Sequence, residues 1–317
     1  VTSAQEIAEL HQHYAILRDQ AGYVRQSRDV VNIAGPDASE YLNGQLSQDI
    51  ASLEPGEAVW TFLLQPTGKV EAYGRIFRAS DEHFVLEVPA GWGDAIHRRL
   101  ERFLLRVKCE ISQDSWVLHS YRGAKLPADY QPESTQPEIL KAQVQWGDVI
   151  GFDFLGRQLT LPADMPQCSP VALDILRVEA GIPQLGREIL PEAIPSEIGT
   201  ALLEEAVSFT KGCYVGQELV ERMHSRGSGA PRRLLGVNFS DEIFCEAGSQ
   251  LYGSNPQGVQ ELPKPQAQLT SLVCSPRFGY SGLVLAHRSV SPSDVLFTAA
   301  GAEAQICSLP FTNSNVS

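Results

Sequence analysis

The chain has 317 residues, 43% hydrophobic and 20% charged, with a formal net charge of −13. That length suits two or three packed units with sizeable cores. The acidic balance argues against broad nucleic-acid or anionic-membrane binding, and no run approaches the eighteen or so apolar residues of a membrane-spanning helix.

The opening "VTSAQEIAEL" lacks the basic and apolar regions of a signal peptide. Six scattered cysteines, with no Cys-x-x-Cys pair, suggest neither a zinc site nor a disulfide framework. A cytoplasmic, reducing location is therefore expected, and a processed organellar form stays open.

Ser3 to Glu6 reads as a capping box before an amphipathic helix carrying Ile7, Leu10, Tyr14 and Leu17. Pro36 and Asp37 open a second helix, "DASEYLNGQLSQDI", with Tyr41, Leu42 and Leu46 on its apolar face. From Ala58 the period changes. "AVWTFLLQ", the turn "PTGK", "VEAYGRIFRA" and "HFVLEVPA" read as three strands.

"WGDAIHRRLERFLL" predicts a helix with Ile96, Leu100, Phe103 and Leu104 on one side and "HRRLER" as a solvated face. "VKCEIS" and "WVLHSY" return to strand, which gives an α+β sandwich of ferredoxin-like character. Residues 124–146, rich in Pro, Gln and Glu, read as an irregular excursion, and "GDVIGFDFLGRQLTLP" as a further hairpin. Residues 170–186 form a helix stopped at Gly181 with Pro183 beyond. From a boundary near Gly229–Arg232, short apolar runs between Gly, Pro, Ser and Asn predict a small all-β barrel.

The most informative stretch is "KGCYVGQE", residues 211–218. Gly216 and Gln217 precede the helical "ELVERM", so Cys213 sits just before a helix N-terminus. Unpaired amides and the macrodipole there, with Lys211 close by, favour a thiolate. Gly212 and Gly216 let the backbone approach a ligand or take positive φ.

Against this stand plainer readings: Cys213 as a small buried hydrophobe, Tyr214 as a packing aromatic, Gln217 and Glu218 as a helix first turn, and His224 as a solvated histidine. "GYSG" at 279–282 lacks the final glycine of a nucleophile elbow. There is no P-loop, dinucleotide fingerprint or His-Glu-x-x-His.

"KGCYVGQE" resembles the signature of YgfZ-type proteins, relatives of the glycine-cleavage T-protein that include mitochondrial iron–sulfur assembly factors. "YLNGQLSQDI" (41–50), "PTGKVEAYGRIF" (66–77), "RFLLRVKCEI" (102–111), "ILRVEAGIPQLGREI" (175–189), "IPSEIG" (194–199) and "LTSLVCSP" (269–276) are similar to other stretches of that family. The resemblance implies a three-lobed ring around a central channel, where T-proteins hold tetrahydrofolate. It divides the chain into a folate-binding region, 1–229, with a middle lobe at about 55–165, and a barrel at 230–317.

It further implies Cys213 and Lys211 as the functional pair, with Arg177, Tyr214, Gln217, Glu218 and Asp49 toward folate. Arg177 could hold a folate carboxylate or form an ion pair with Glu179 or another carboxylate. Asp49 could touch ligand or cap a turn.

T-proteins carry paired aspartates after the first hairpin, where this chain has Glu71-Ala72. A missing carboxylate weakens the case for aminomethyl transfer. Three readings follow. The first is a monomeric tetrahydrofolate-binding accessory protein for iron–sulfur clusters, partnered by folate and by client proteins or cluster-assembly factors rather than nucleic acid or membrane. The second is a one-carbon transferase, and the third an interaction protein without folate.

Overall fold

The computed structural model describes residues 4–131, 139–160, 165–226, 230–240, 245–258 and 261–314. Ser3 of the expected capping box, part of the 124–146 stretch, the end of "GRQLTLP" and Gly229 lie outside these residues.

Helix α1 (Ala4–Asp19), strand β1 (Gly22–Ala34) and helix α2 (Ala38–Gln45) are followed by a meander of β2 (Ala58–Leu64), β3 (Val70–Ser80) and β4 (His83–Pro89). Helix α3 (Gly93–Glu101) leads to β5 (Glu110–Arg122) and the hairpin β6 (Leu140–Trp146) and β7 (Val149–Gly156). The seven strands form one antiparallel sheet in the order β2-β3-β4-β1-β5-β7-β6.

Its spine is the long β1–β5 pair, in register from Gly22 opposite Arg122 to Ala34 opposite Glu110. Sequence patterning misses β1, because Arg25, Arg28 and Asp29 interrupt its apolar run. In the fold two of those charges have fixed partners. Arg28 pairs with buried Glu87 of β4, and the Asp29 carboxylate accepts from the amides of Gly91 (2.8 Å) and Gly93 (3.0 Å).

Several expectations need correction. The second helix does not run to Ile50: α2 ends at Gln45, and Leu46 leaves in extended conformation to bridge Leu63. The third helix ends at Glu101, leaving Phe103 42% exposed beneath the Arg99 guanidinium rather than in the core. Nor is "HRRLER" a wholly solvated face. Arg99 is buried and donates to Glu71 (2.9 Å), Gln45 (3.2 Å) and the Leu64 carbonyl (3.3 Å). The stretch read as irregular supplies β6, which makes the hairpin with β7. The expected strands at 107–112 and 116–121 merge into one strand, β5, which starts only at Glu110.

Helix α4 (Pro170–Ala180) begins and ends as its sequence predicts. Ser169 accepts from the Val171 amide (3.2 Å), Pro170 opens the first turn, and Gly181 takes φ 72°. A 3-10 turn (Pro195–Ile198), α5 (Thr200–Ala206) and α6 (Gln217–Arg226) complete this part.

The barrel comprises β8 (Arg232–Phe239), β9 (Gln250–Leu251), β10 (Ala267–Ser275), β11 (Gly279–His287), β12 (Val295–Phe297) and β13 (Glu303–Cys307). Its strands run in the order β12-β13-β8-β11-β10-β9. Tyr252 and Phe297 exchange amide bonds of 2.9 and 2.8 Å, one bridge that joins the two ends of that order and nearly closes the barrel. The resemblance's fold class, α+β with a terminal small barrel, is the one observed.

Two cores matter for the site. One packs α2 and residues 203–220 against the β1–β4 half of the sheet, around Leu42, Leu46, Phe62, Phe84 and Tyr214. The other joins α1, α4 and the barrel through Leu17, Leu173, Leu176, Leu283 and Phe311.

Candidate functional site

The octapeptide wraps the C-terminal end of α2. A helix end leaves carbonyls without intrahelical partners, and here a lysine collects them. The Lys211 ammonium donates to the carbonyls of Asn43 (2.6 Å), Leu46 (2.7 Å) and Gln48 (2.8 Å), and the Val215 amide reaches Gly44 (3.1 Å). Its Nζ also lies 5.0 Å above the Tyr214 ring. Burial pushes Lys211 down to about 8 while Asp49 opposes the shift, so it is cationic at neutral pH.

This anchorage explains the short helix: Leu46 and Gln48 turn their carbonyls to Lys211 instead of extending α2. Asp49 consequently lies in the following turn, where its carboxylate accepts from the Ser52 amide (3.3 Å). Tyr214 is buried and its hydroxyl has no hydrogen-bond partner among the described residues; burial, then Glu221, push its pKa up, so it stays neutral. Gln217 accepts from the Tyr214 amide (2.9 Å), and Glu218 is exposed in the first turn of α6.

Cys213 is exposed, so it is no buried hydrophobe. His224 is exposed and stacks on Phe209 at 3.9 Å. Gly216, at φ 83°, packs against the "PTGK" turn, whereas Gly212 has open space where a Cβ would point.

A separate cavity of about 320 Å³ lies between the sheet face and α4. Its polar floor is a chain of ion pairs. Arg28 pairs with Glu87, Arg75 with Glu87 (3.4 Å) and Asp153 (3.0 Å), and Arg122 with Asp153 (2.9 Å). Burial works to raise the Asp153 pKa, but Arg122 and then Arg75 outweigh it and hold the carboxyl down to about 2.

Trp60 and Trp146 line the cavity, each beneath an arginine of the floor: Arg75 is 5.4 Å from the Trp60 ring and Arg122 4.5 Å from Trp146. Buried Arg75 Nε and Arg122 Nε have no hydrogen-bond partner among the described residues, and Glu87 Oε2 has only its 3.4 Å ion pair with Arg75. The two arginine Nε groups are thus spare donors within an otherwise paired ladder.

The structure thus separates residues that the resemblance groups together. Lys211, Asp49, Tyr214 and Gln217 meet at the end of α2, with Cys213 and Glu218 exposed beside them. Arg177 lines the cavity, and none of the other six does.

Arg177 is also heavily engaged. It donates to Asp174 (2.7 Å), the Ile182 carbonyl (2.7 Å), Glu188 (3.0 Å) and Ser271 of the barrel (2.9 Å). Four of its five N–H groups are used. Its carboxylate partners are Asp174 and Glu188, not Glu179.

Sequence reasoning missed Arg75, Glu87, Asp153 and Arg122. A signal was present: "YGRIF", "VLEVP" and "GFDFL" each carry a single charge inside an apolar strand, which requires a buried partner.

No family model matches the chain. An uncharacterized protein of Haemophilus influenzae is 27% identical over 225 residues, 70% of this chain and 75% of that protein. A "tRNA-modifying protein YgfZ" of Vibrio vulnificus is 28% identical over 62% of this chain and 64% of its own length. An "iron-sulfur cluster assembly factor IBA57 homolog, mitochondrial" of Pyricularia oryzae is 28% identical over 64% of this chain and 53% of its own length. The chain thus spans less than two thirds of these two named relatives.

The glycine cleavage system aminomethyltransferase T of Bartonella henselae superposes over 96% of this chain and 89% of its own, with a TM-score of 0.76 at 20% identity. In sequence the chain is similar to YgfZ-type proteins, and in fold to the glycine-cleavage aminomethyltransferase. At the position after the first hairpin, Glu71 is tied to Arg99 and neighbours buried Ala72, so no pair of free carboxylates stands there.

Proposed function

We propose that this chain is a tetrahydrofolate-binding accessory protein that helps assemble or maintain iron–sulfur clusters in client enzymes. One observation carries the folate part. In a protein of net charge −13, the cavity is lined by five arginines (Arg28, Arg75, Arg122, Arg177, Arg187) against three carboxylates (Glu87, Asp153, Asp174), with Glu188 buried behind Arg177. An electropositive, tryptophan-walled space suits a flat heteroaromatic ligand with an anionic tail. Trp60 and Trp146 would flank the ring, and Arg28 and Arg187 would meet the tail.

The cluster role is supported by the names of the relatives and by the exposed thiol of Cys213. No group of three or more His, Cys, Asp or Glu residues able to hold a metal occurs among the described residues. A single thiolate supplies too few ligands for a whole cluster, so any cluster would be shared with a partner. We assign the folate-binding region to 1–229 and the barrel to 230–317, and place the protein in a reducing cytoplasm or organelle matrix as a monomer.

The second reading, aminomethyl or other one-carbon transfer, draws on the GcvT-like fold. The engagement of Glu71 by Arg99 and the presence of Ala72 weigh against it, because proton transfer needs a free group of suitable pKa. Steady-state formation of methylene-tetrahydrofolate from an aminomethyl donor separates the two. Absent turnover with retained tetrahydrofolate binding favours the accessory role, and robust turnover favours the transferase.

A further inference from the structure

A helix advances about 100° per residue, so Arg177 and Glu179, two apart on α4, face nearly opposite ways. Arg177 lines the cavity described above; Glu179 lines a second one, of about 480 Å³, between α1, the β6–β7 turn, the barrel and residues 310–314. We propose that this second cavity binds a zwitterionic α-amino acid with an apolar side chain.

Four charged residues line it: Arg18, Asp148, Glu179 and Arg277. Arg18 pairs with Asp148. Glu179, 5% exposed, is held by two neutral hydroxyls, Tyr14 (2.9 and 3.0 Å) and Ser275, while the Arg18 guanidinium stays 3.9 Å away. A buried carboxylate with no cation in hydrogen-bonding contact is costly, and burial pushes its pKa up. An ammonium group would add the close cationic contact that Arg18 and Arg277 do not make.

At the mouth, Arg277 is exposed, lies 4.8 Å from the Phe278 ring and has no carboxylate partner among the described residues. Trp146, Leu176, Phe278 and Phe311 form apolar walls between the two. Arg18, bonded to Asp148, stays 3.9 Å from Glu179, and the Arg277 charge acts on Glu179 only from a distance, so the buried anion and the exposed cation each want a close partner. A ligand carrying both charges and an apolar body complements that arrangement. A lone carboxylate would satisfy Arg277 but meet Glu179, and a lone amine would do the reverse.

Calorimetric titration of the full chain with L-phenylalanine, phenethylamine and 3-phenylpropionate tests this. Phenylalanine should bind saturably, with each single-charge analogue weaker by roughly 10-fold or more. Glu179→Gln, checked for folding by thermal unfolding, and the surface variant Arg277→Ala should each weaken phenylalanine to a similar extent. The proposal fails if phenylalanine does not saturate, if 3-phenylpropionate binds as tightly as phenylalanine, or if Arg277→Ala leaves affinity unchanged.

Discussion

Gly68 and Gly216 pack against one another: a Cβ on Gly68 would lie 2.9 Å from the Gly216 carbonyl and 2.4 Å from Leu219 Cβ. A Cβ on Gly216 would lie 3.2 Å from Gly68 Cα and 2.5 Å from the Gln65 carbonyl, and both glycines have positive φ, 81° and 83°. The "PTGK" turn and "KGCYVGQE", far apart in sequence, are docked through backbones that tolerate no side chain. Gly68→Ala and Gly216→Ala should each lower stability by about 1–3 kcal/mol in urea unfolding. The double variant should lose less than the sum, because one separation of the two loops relieves both clashes.

That contact also shows what the sequence could disclose. Gly216 was legible as a position for close approach or positive φ, unlike Gly68, and α4 announced its end through Gly181. The folate-like grouping of Arg177 with Lys211 was not legible as two places, because only tertiary pairing to Asp174, Glu188 and Ser271 draws Arg177 away. The length of α2 was equally hidden: its amphipathic pattern continues past Gln45, but Lys211, 165 residues beyond Leu46, takes the carbonyls there. β1 escaped notice because its charges find partners only once Glu87, Gly91 and Gly93 come into register beside it.

Arg177 ties α4, the following loop and the barrel. Arg177→Ala should cost about 3–5 kcal/mol of stability, since it leaves the buried Glu188 carboxylate without its guanidinium. A lysine could not replace four donors spread over a planar fork. Chemical denaturation checks this; a loss below about 1 kcal/mol would mean that the network repacks.

His119 gives a pH signature. It is 1% exposed, lies against the rings of Tyr23 and Tyr121, and neither ring nitrogen is hydrogen-bonded among the described residues. Burial, and secondarily the Arg25 charge, push it down to about 4. The unfolded chain therefore binds the proton first: this stability is full above about pH 6.5 and is lost as pH falls toward 4. His119→Phe should flatten the acid limb of unfolding free energy against pH. An unchanged limb would show that other groups set it.

The thiols should divide by exposure. Burial pushes Cys168 up to about 11 and Cys307 up to about 12, whereas Cys213 and Cys274 are exposed. Iodoacetamide on the native protein, followed by peptide mass mapping, should label Cys213 and Cys274 well before Cys168 and Cys307. Cys213→Ser should leave stability within about 0.5 kcal/mol of wild type.

The measurement that bears most directly on the proposed function is an equilibrium titration of tetrahydrofolate into wild type, Trp146→Ala and Cys213→Ala. Wild type should bind saturably, and Cys213→Ala should bind equally well, because Cys213 lies outside the cavity. Trp146→Ala should bind about 10-fold or more weakly through loss of an aromatic wall. No saturable binding by wild type, or binding lost with Cys213 and indifferent to Trp146, would contradict a tetrahydrofolate site in the arginine-lined cavity.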